Sequence, residues 1–216
     1  MKQNKKLILS LESSGSTCGI ALSVGKEIVA IYEINEKNLH DKLMAARIES
    51  LLKDLGATVQ DITAAAVSAG PGSFTGLRIA GSIAKGLCYD DGIKLISVPT
   101  MEALARAAAS SRAYCPPERI RCMIGSTRGE CFLQAFDSQG RPTSDITETT
   151  IDEALAGASD KDMLVGPVAP ASEFSTLSVR YIASLAAEFY ENSQFTPSAE
   201  YAPLYVQDFK LRTAAK

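Results

Sequence analysis

At 216 residues, 46% of them apolar, the chain is long enough for one large globular domain or two small ones with real cores. Its formal net charge of -3 gives no overall positive field to gather nucleic acid, so RNA contact would need a local patch or a partner. A single histidine, His40, excludes the two-histidine zinc sites of most metallopeptidases, and with no Gly-x-Ser-x-Gly elbow present it reads as a capping or surface residue rather than a triad base.

Five cysteines, an odd number without a Cys-x-x-Cys pair, read as reduced and mostly buried thiols of a cytoplasmic protein. The basic start, Met1 to Lys6, is followed by an apolar run that stops at Ser10 and Glu12, too short for a signal peptide. No later stretch approaches the roughly 18 apolar residues that a membrane span needs.

In chain order, Leu7 to Ser13 predicts an apolar strand, Gly15 to Gly19 a return, and Ile20 to Val24 a second, alternating strand. Gly25-Lys26 turns the chain into a third, Glu27 to Tyr32. From His40 to Leu55 the period becomes helical, with Leu43, Met44, Ile48, Leu51, Leu52 and Leu55 apolar and Gly56 as the stop. Ala45 and Ala46 widen that apolar arc beyond one sheet face, which predicts a second surface over the remainder.

The next stretch organises the rest. Ala64 to Ala69 predicts a buried strand, Gly70-Pro71-Gly72 breaks it, and a helix follows from Phe74 to Cys88. Gly70 and Gly72 permit a sharp turn, and Ser73 or Thr75 can cap the unpaired amides of a helix start that attracts anions. Gly76, Ala80 and Ala84 recur every four residues as a smooth ridge that a partner helix could approach, with Leu77, Ile83 and Leu87 predicted to face the sheet. No Gly-Lys-Ser/Thr follows, and the Gly-x-Gly-x-x-Gly spacing is missing, so this is neither a Walker loop nor a dinucleotide fingerprint. A tight turn with close helix packing is the competing account of the same glycines.

Lys94 to Val98 and Met101 to Ala109 read as a strand and a helix, and Ser110 to Pro117 as a linker. The order then restarts, with strands at Ile120 to Ile124, Cys131 to Phe136 and Thr143 to Thr149, a short helix at Ile151 to Ala156, a strand at Met163 to Val165 and a helix at Val179 to Tyr190. The division expected is 1–105 and 106–216.

This repeated order resembles the actin, Hsp70 and sugar-kinase superfold, an α/β fold of two duplicated domains, here with the second reduced. Within it, Leu9 to Leu22, His40 ahead of an apolar helix, the block Gly70 to Ile79 and the closing Ala202 to Val206 resemble the bacterial TsaB (YeaZ) family of tRNA threonylcarbamoyladenosine biosynthesis proteins. The resemblance implies a non-catalytic subunit that pairs with its TsaD-like paralogue, the transferase acting on N6 of adenosine-37 in tRNAs reading ANN codons. A TsaE-like ATPase joins them, tRNA is met only through the complex, and the lone chain forms a homodimer. The implied interface is His40, Leu43, Met44, Arg47, Phe74, Gly76, Leu77, Ala80 and Ala84.

The alternative is a small ATPase or kinase with weak ATP or ADP binding around Glu12, Ser14, Thr17, Gly70, Gly72, Ser73 and Thr75. Against turnover, the superfold's first-strand aspartates are here Glu12 and Gly125, and Ser126 and Thr127 stand where relatives continue Ala-Arg, although Glu130 matches. Arg128 is read as a displaced counterpart of that arginine or a solvated charge, and Arg78 as either a surface ion pair or a contact residue. No metal ligand set and no catalytic residue is assigned.

Overall fold

A computed structural model of the chain describes residues 6–36, 40–90, 92–112, 114–126, 129–170 and 172–205, without the side chains of 40–42. The expectations placed on the His40 side chain, Thr127, Arg128, Val206 and the tail from Lys210 to Lys216 lie outside these residues.

Five strands build the first sheet: β1 (Leu7–Glu12), β2 (Thr17–Val24), β3 (Glu27–Asn35), β4 (Ile62–Ser68) and β5 (Lys94–Val98), in the order β3-β2-β1-β4-β5. The first three form an antiparallel meander, and β4 and β5 add parallel to β1. Helices α1 (His40–Asp54) and α2 (Phe74–Leu87) fill the crossovers into β4 and β5, and α3 (Thr100–Ser111) leads from β5 to the second sheet. The second sheet, β6 (Arg119–Gly125), β7 (Glu130–Phe136), β8 (Thr147–Thr150) and β9 (Asp162–Val165), has the order β8-β7-β6-β9, with α4 (Ile151–Ala156) and α5 (Val179–Glu191). It repeats the meander-plus-parallel-strand plan of the first with one strand fewer, so the duplicated superfold with a reduced second half is the architecture found.

Layering explains why β1 and β4 read as continuous apolar runs: both faces of the first sheet are covered. Leu9, Leu11, Ile20 and Leu22 meet Met44, Ile48 and Leu52 of α1 and Ala80 and Ala84 of α2. On the opposite face Ile8, Ala64, Ala66, Ile96 and Val98 pack with Ala103 of α3 and Ile182, Leu185 and Ala186 of α5. The far side of α3, with Met101, Leu104, Ala105 and Ala108, packs on Ile120, Cys122, Ile124 and Phe136 of the second sheet. Helix α3 thus lies between the sheets, with α5 packed beside it on the first.

Several boundaries move. Strand β2 begins at Thr17 rather than Ile20 because Thr17, Cys18 and Gly19 pair with Asn35, Ile34 and Glu33 of a longer β3. Helix α3 continues to Ser111, into the expected linker. Strand β8 shortens to Thr147–Thr150; upstream of it Pro142 forms an isolated bridge with Phe136 and the Thr143 amide donates to the Ala135 carbonyl at 2.9 Å.

Candidate docking surface and glycine loop

The glycine loop is fastened on both sides. Gly70 has φ +104, donates its amide to Thr100 Oγ1 at 3.0 Å, and accepts the Thr100 amide at 3.0 Å. Ser73 is the N-cap of α2, its hydroxyl accepting from the Gly76 amide at 3.2 Å. The turn after β1 lies directly against this helix start: the Ser73 amide donates to the Ser14 carbonyl at 2.7 Å, and the Ser13 hydroxyl donates to the Gly76 carbonyl at 2.7 Å. A Cβ at Gly72 would stand 2.2 Å from the Ser14 carbonyl oxygen, and one at Gly76 only 1.8 Å from that of Ser13. Both positions require glycine because two stretches of backbone touch there.

Glu12 ends β1 beneath this contact, buried, with Oε1 accepting both the amide and the hydroxyl of Ser14. Burial pushes its carboxyl up to about 7, against the lowering pull of Ser14 and Ser68, and the neighbouring Glu33 adds a further upward push. Thr17 lies across the turn, lining a cavity of about 160 Å³ with Glu33, Asn35, Thr176, Leu177 and Ser178. There a Glu33 carboxylate oxygen accepts the first amide of α5, from Val179, at 2.6 Å. Glu12, Ser14, Gly70, Gly72 and Ser73 are therefore gathered at one place, Thr75 sits exposed on the first turn of α2, and Thr17 opens to the other side. In the second half, Gly125 closes β6 with Val168 2.9 Å from where its Cβ would stand, and Glu130 is half-buried at the start of β7.

The expected interface residues divide. Arg47 is exposed, its guanidinium 5.0 Å from the Tyr32 ring centroid; Leu43 is half-buried and Phe74 is 40% exposed. Met44, Gly76, Leu77, Ala80 and Ala84 are buried inside the chain. The ridge expected to meet a partner faces inward instead, and Ala80 and Ala84 join Ala65 and Val67 of β4 in the core. Small residues there let α2 settle closely on its own sheet. The outward line is Thr75, Ile79, Ser82 and Gly86, spaced 4-3-4, with Thr75, Ser82 and Gly86 exposed and Ile79 half-buried. Ile83 and Leu87, expected against the sheet, are half-buried at its margin, as is Leu51 of α1.

One cluster escaped the sequence reading. Residues 201–205 return across α2, where Tyr205 stacks on Phe74 with ring centroids 5.0 Å apart and its hydroxyl accepts from Arg78 Nε at 3.1 Å.

Fold and site together define a duplicated α/β protein whose loop between β4 and α2 is closed by its own backbone and whose outer helices carry half-exposed apolar residues. The family model for TsaD, tRNA N6-adenosine threonylcarbamoyltransferase, matches residues 27–173, and the chain belongs to this family. Within it the chain is similar to the tRNA threonylcarbamoyladenosine biosynthesis protein TsaB. The Escherichia coli protein is 32% identical over 146 residues, 67% of this chain and 62% of that one. The Haemophilus influenzae protein is 33% identical over 101 residues, 47% of this chain and 42% of that one. This chain thus spans less than two thirds of the length of either relative. YeaZ from Pseudomonas aeruginosa superposes with a TM-score of 0.80 at 21% identity, covering 93% of this chain and 100% of that one, which shows the shared fold. No helix among the described residues is long and apolar enough to cross a membrane.

Proposed function

We propose that this chain is a non-catalytic, activating subunit in the cytoplasmic synthesis of threonylcarbamoyladenosine on tRNA. It docks through the outer faces of α1 and α2 onto a TsaD-like transferase, which modifies N6 of adenosine-37 in tRNAs reading ANN codons, with a TsaE-like ATPase as third member. Without that partner the same faces pair two copies of the chain. The observation carrying this reading is the sealed contact between the β1 turn and α2: the Ser14 carbonyl accepts the Ser73 amide, and Glu12 is held inside by Ser14. Groups that would cradle a phosphate serve internal bonding, and the N-terminus of α5 is answered by Glu33 in the same way. In this reading the chain needs no cofactor of its own and turns over no nucleotide.

The test is complementation. Cells depleted of their own TsaB and supplied with this chain should regain threonylcarbamoyladenosine in nucleoside digests of tRNA, and the chain should co-elute with the TsaD-type paralogue. Modification of tRNA by the purified chain alone, or failure to co-elute with the paralogue, would overturn the reading.

A further inference from the structure

The described C-terminal residues are bound to α2 and to the end of the strand before it. The Tyr201 ring lies against Gly81, 2.9 Å from where a Cβ would stand, and Lys85 Nζ donates to the Tyr201 carbonyl at 3.2 Å. The Leu204 amide donates to the Ala69 carbonyl at 2.7 Å, and Tyr205 reaches Phe74 and Arg78. The guanidinium of Arg78 is clamped, 3.8 Å from the Phe74 ring centroid and 5.7 Å from that of Tyr205, its Nε tied to the Tyr205 hydroxyl.

Among the described residues this arginine is set apart by its place between two aromatic rings; Arg47 lies over one ring only. Arg106, Arg112, Arg119 and Arg121 each lie within 4.0 Å of a carboxylate of the same chain. Arg78, like Arg47, Arg141 and Arg180, has none within 4.0 Å among the described residues, although it is exposed and its terminal nitrogens carry four N–H donors. Its surroundings are apolar and open: Phe74, Leu204 and Tyr205 are 40%, 45% and 41% exposed. A guanidinium fixed on aromatic faces gives up little rotamer freedom when it binds, and arginine beside aromatic rings is the composition of binding hot spots.

We propose that Arg78 is a preset anchor for a carboxylate on the protein that docks against α2, and that residues 201–205 belong to the docking surface because Tyr205 holds that anchor in place. The proposal rests on the partner reading above and adds the side chain that recognises the partner and the chemistry it meets. Charge complementarity selects the occupant. One cation ringed by aromatic surface suits a single carboxylate on a protein face. An RNA backbone calls for several cations, and the neighbouring Lys85 is engaged by Tyr201 in a chain of net charge -3.

The experiment titrates the full chain into the purified TsaD-type paralogue by calorimetry at low and high salt. Arg78→Ala should weaken binding about tenfold or more and flatten its salt dependence; Arg78→Glu should weaken it further. Tyr205→Ala should reproduce part of the loss and Tyr205→Phe less of it, with circular dichroism and melting unchanged throughout. Rescue of Arg78→Glu by changing one acidic residue of the paralogue to lysine would establish the pairing. Wild-type binding that persists in Arg78→Ala and Arg78→Glu overturns this proposal alone. Arg78 variants that lose tRNA but keep the paralogue overturn it in favour of a phosphate contact. A wild-type chain that does not bind the paralogue overturns the functional reading and this proposal with it.

Discussion

The amide of Ser73 donates to the carbonyl of Ser14 across 2.7 Å, joining the first turn of α2 to the turn that follows β1. The companion bond from the Ser13 hydroxyl to the Gly76 carbonyl brings the two backbones so close that a Cβ at Gly76 would lie 1.8 Å from the Ser13 carbonyl oxygen. Backbone oxygen cannot step aside as a flexible side chain can. Gly76→Ala is therefore expected to destabilise the fold by about 3 kcal/mol or more, despite the roughly 1 kcal/mol by which alanine is the better helix former. Gly86 is the control: a Cβ there meets nothing within 4 Å, so Gly86→Ala is expected to stabilise by about 0.5–1 kcal/mol. Urea denaturation of both variants reads the difference.

The carboxyl of Glu12 sets a pH dependence. Burial raises it from 4.5 to about 7, so the folded chain binds this proton more tightly than the unfolded chain does. The stability it contributes is complete below about pH 4.5 and is lost as pH rises through 7, a swing of about 3 kcal/mol. Glu12→Gln keeps an oxygen for Ser14 and carries no charge. It is expected to match the wild type near pH 4.5 and to exceed it by up to about 3 kcal/mol at pH 8, measured by chemical denaturation across that range. Parallel stability curves for the two proteins would remove Glu12 as the cause.

How far the sequence could be read depended on whether the deciding interaction was local. Helix α2 was legible because its signals sit within a few residues: Gly70-Pro71-Gly72 ends the strand and Ser73 caps the helix. Helix α5 was legible from its period, and its observed span Val179–Glu191 departs from the expected one by a single residue. The start of β2 was not, because Thr17, Cys18 and Gly19 look like a turn until Asn35, Ile34 and Glu33 pair with them. The ridge on α2 failed for another reason. A helical period identifies which residues share a face, as Gly76, Ala80 and Ala84 do, but small residues suit a close neighbour of either kind, a partner helix or the chain's own sheet. The Phe74–Arg78–Tyr205 cluster was beyond reach, since no local pattern brings Tyr205 to an arginine 127 residues earlier.

The inward ridge changes which substitution probes docking. Ala80→Arg would drive a guanidinium into a site with no exposure among Met44, Ala65 and Val67, so loss of the cooperative melt is the expected result, whatever the partner. Ser82→Arg places the same side chain on the exposed line of α2, where stability should stay within about 0.5 kcal/mol. Co-elution with the paralogue on size-exclusion chromatography should nevertheless be lost, because the long charged side chain would stand between the two faces. Undiminished co-elution of Ser82→Arg would mean that the outward line of α2 is not the docking face.

Tyr201 ties the C-terminal return to the core, and its two ends act in opposite directions. The ring is 4% exposed and packs in the cluster that includes Ala80, Ala84 and Leu95, so removing it in Tyr201→Ala should cost about 3–5 kcal/mol, the range for emptying a buried aromatic site. The hydroxyl is buried without a hydrogen-bond partner among the described residues, and burial, with a smaller push from Tyr205, raises its pKa. A buried hydroxyl that lacks a partner is a liability of about 1–3 kcal/mol, so Tyr201→Phe is expected to stabilise the chain by about 1 kcal/mol while keeping the ring against Gly81. Melting temperatures of the two variants should therefore move to opposite sides of the wild type. A Tyr201→Phe variant less stable than the wild type would show that the hydroxyl is bonded in solution.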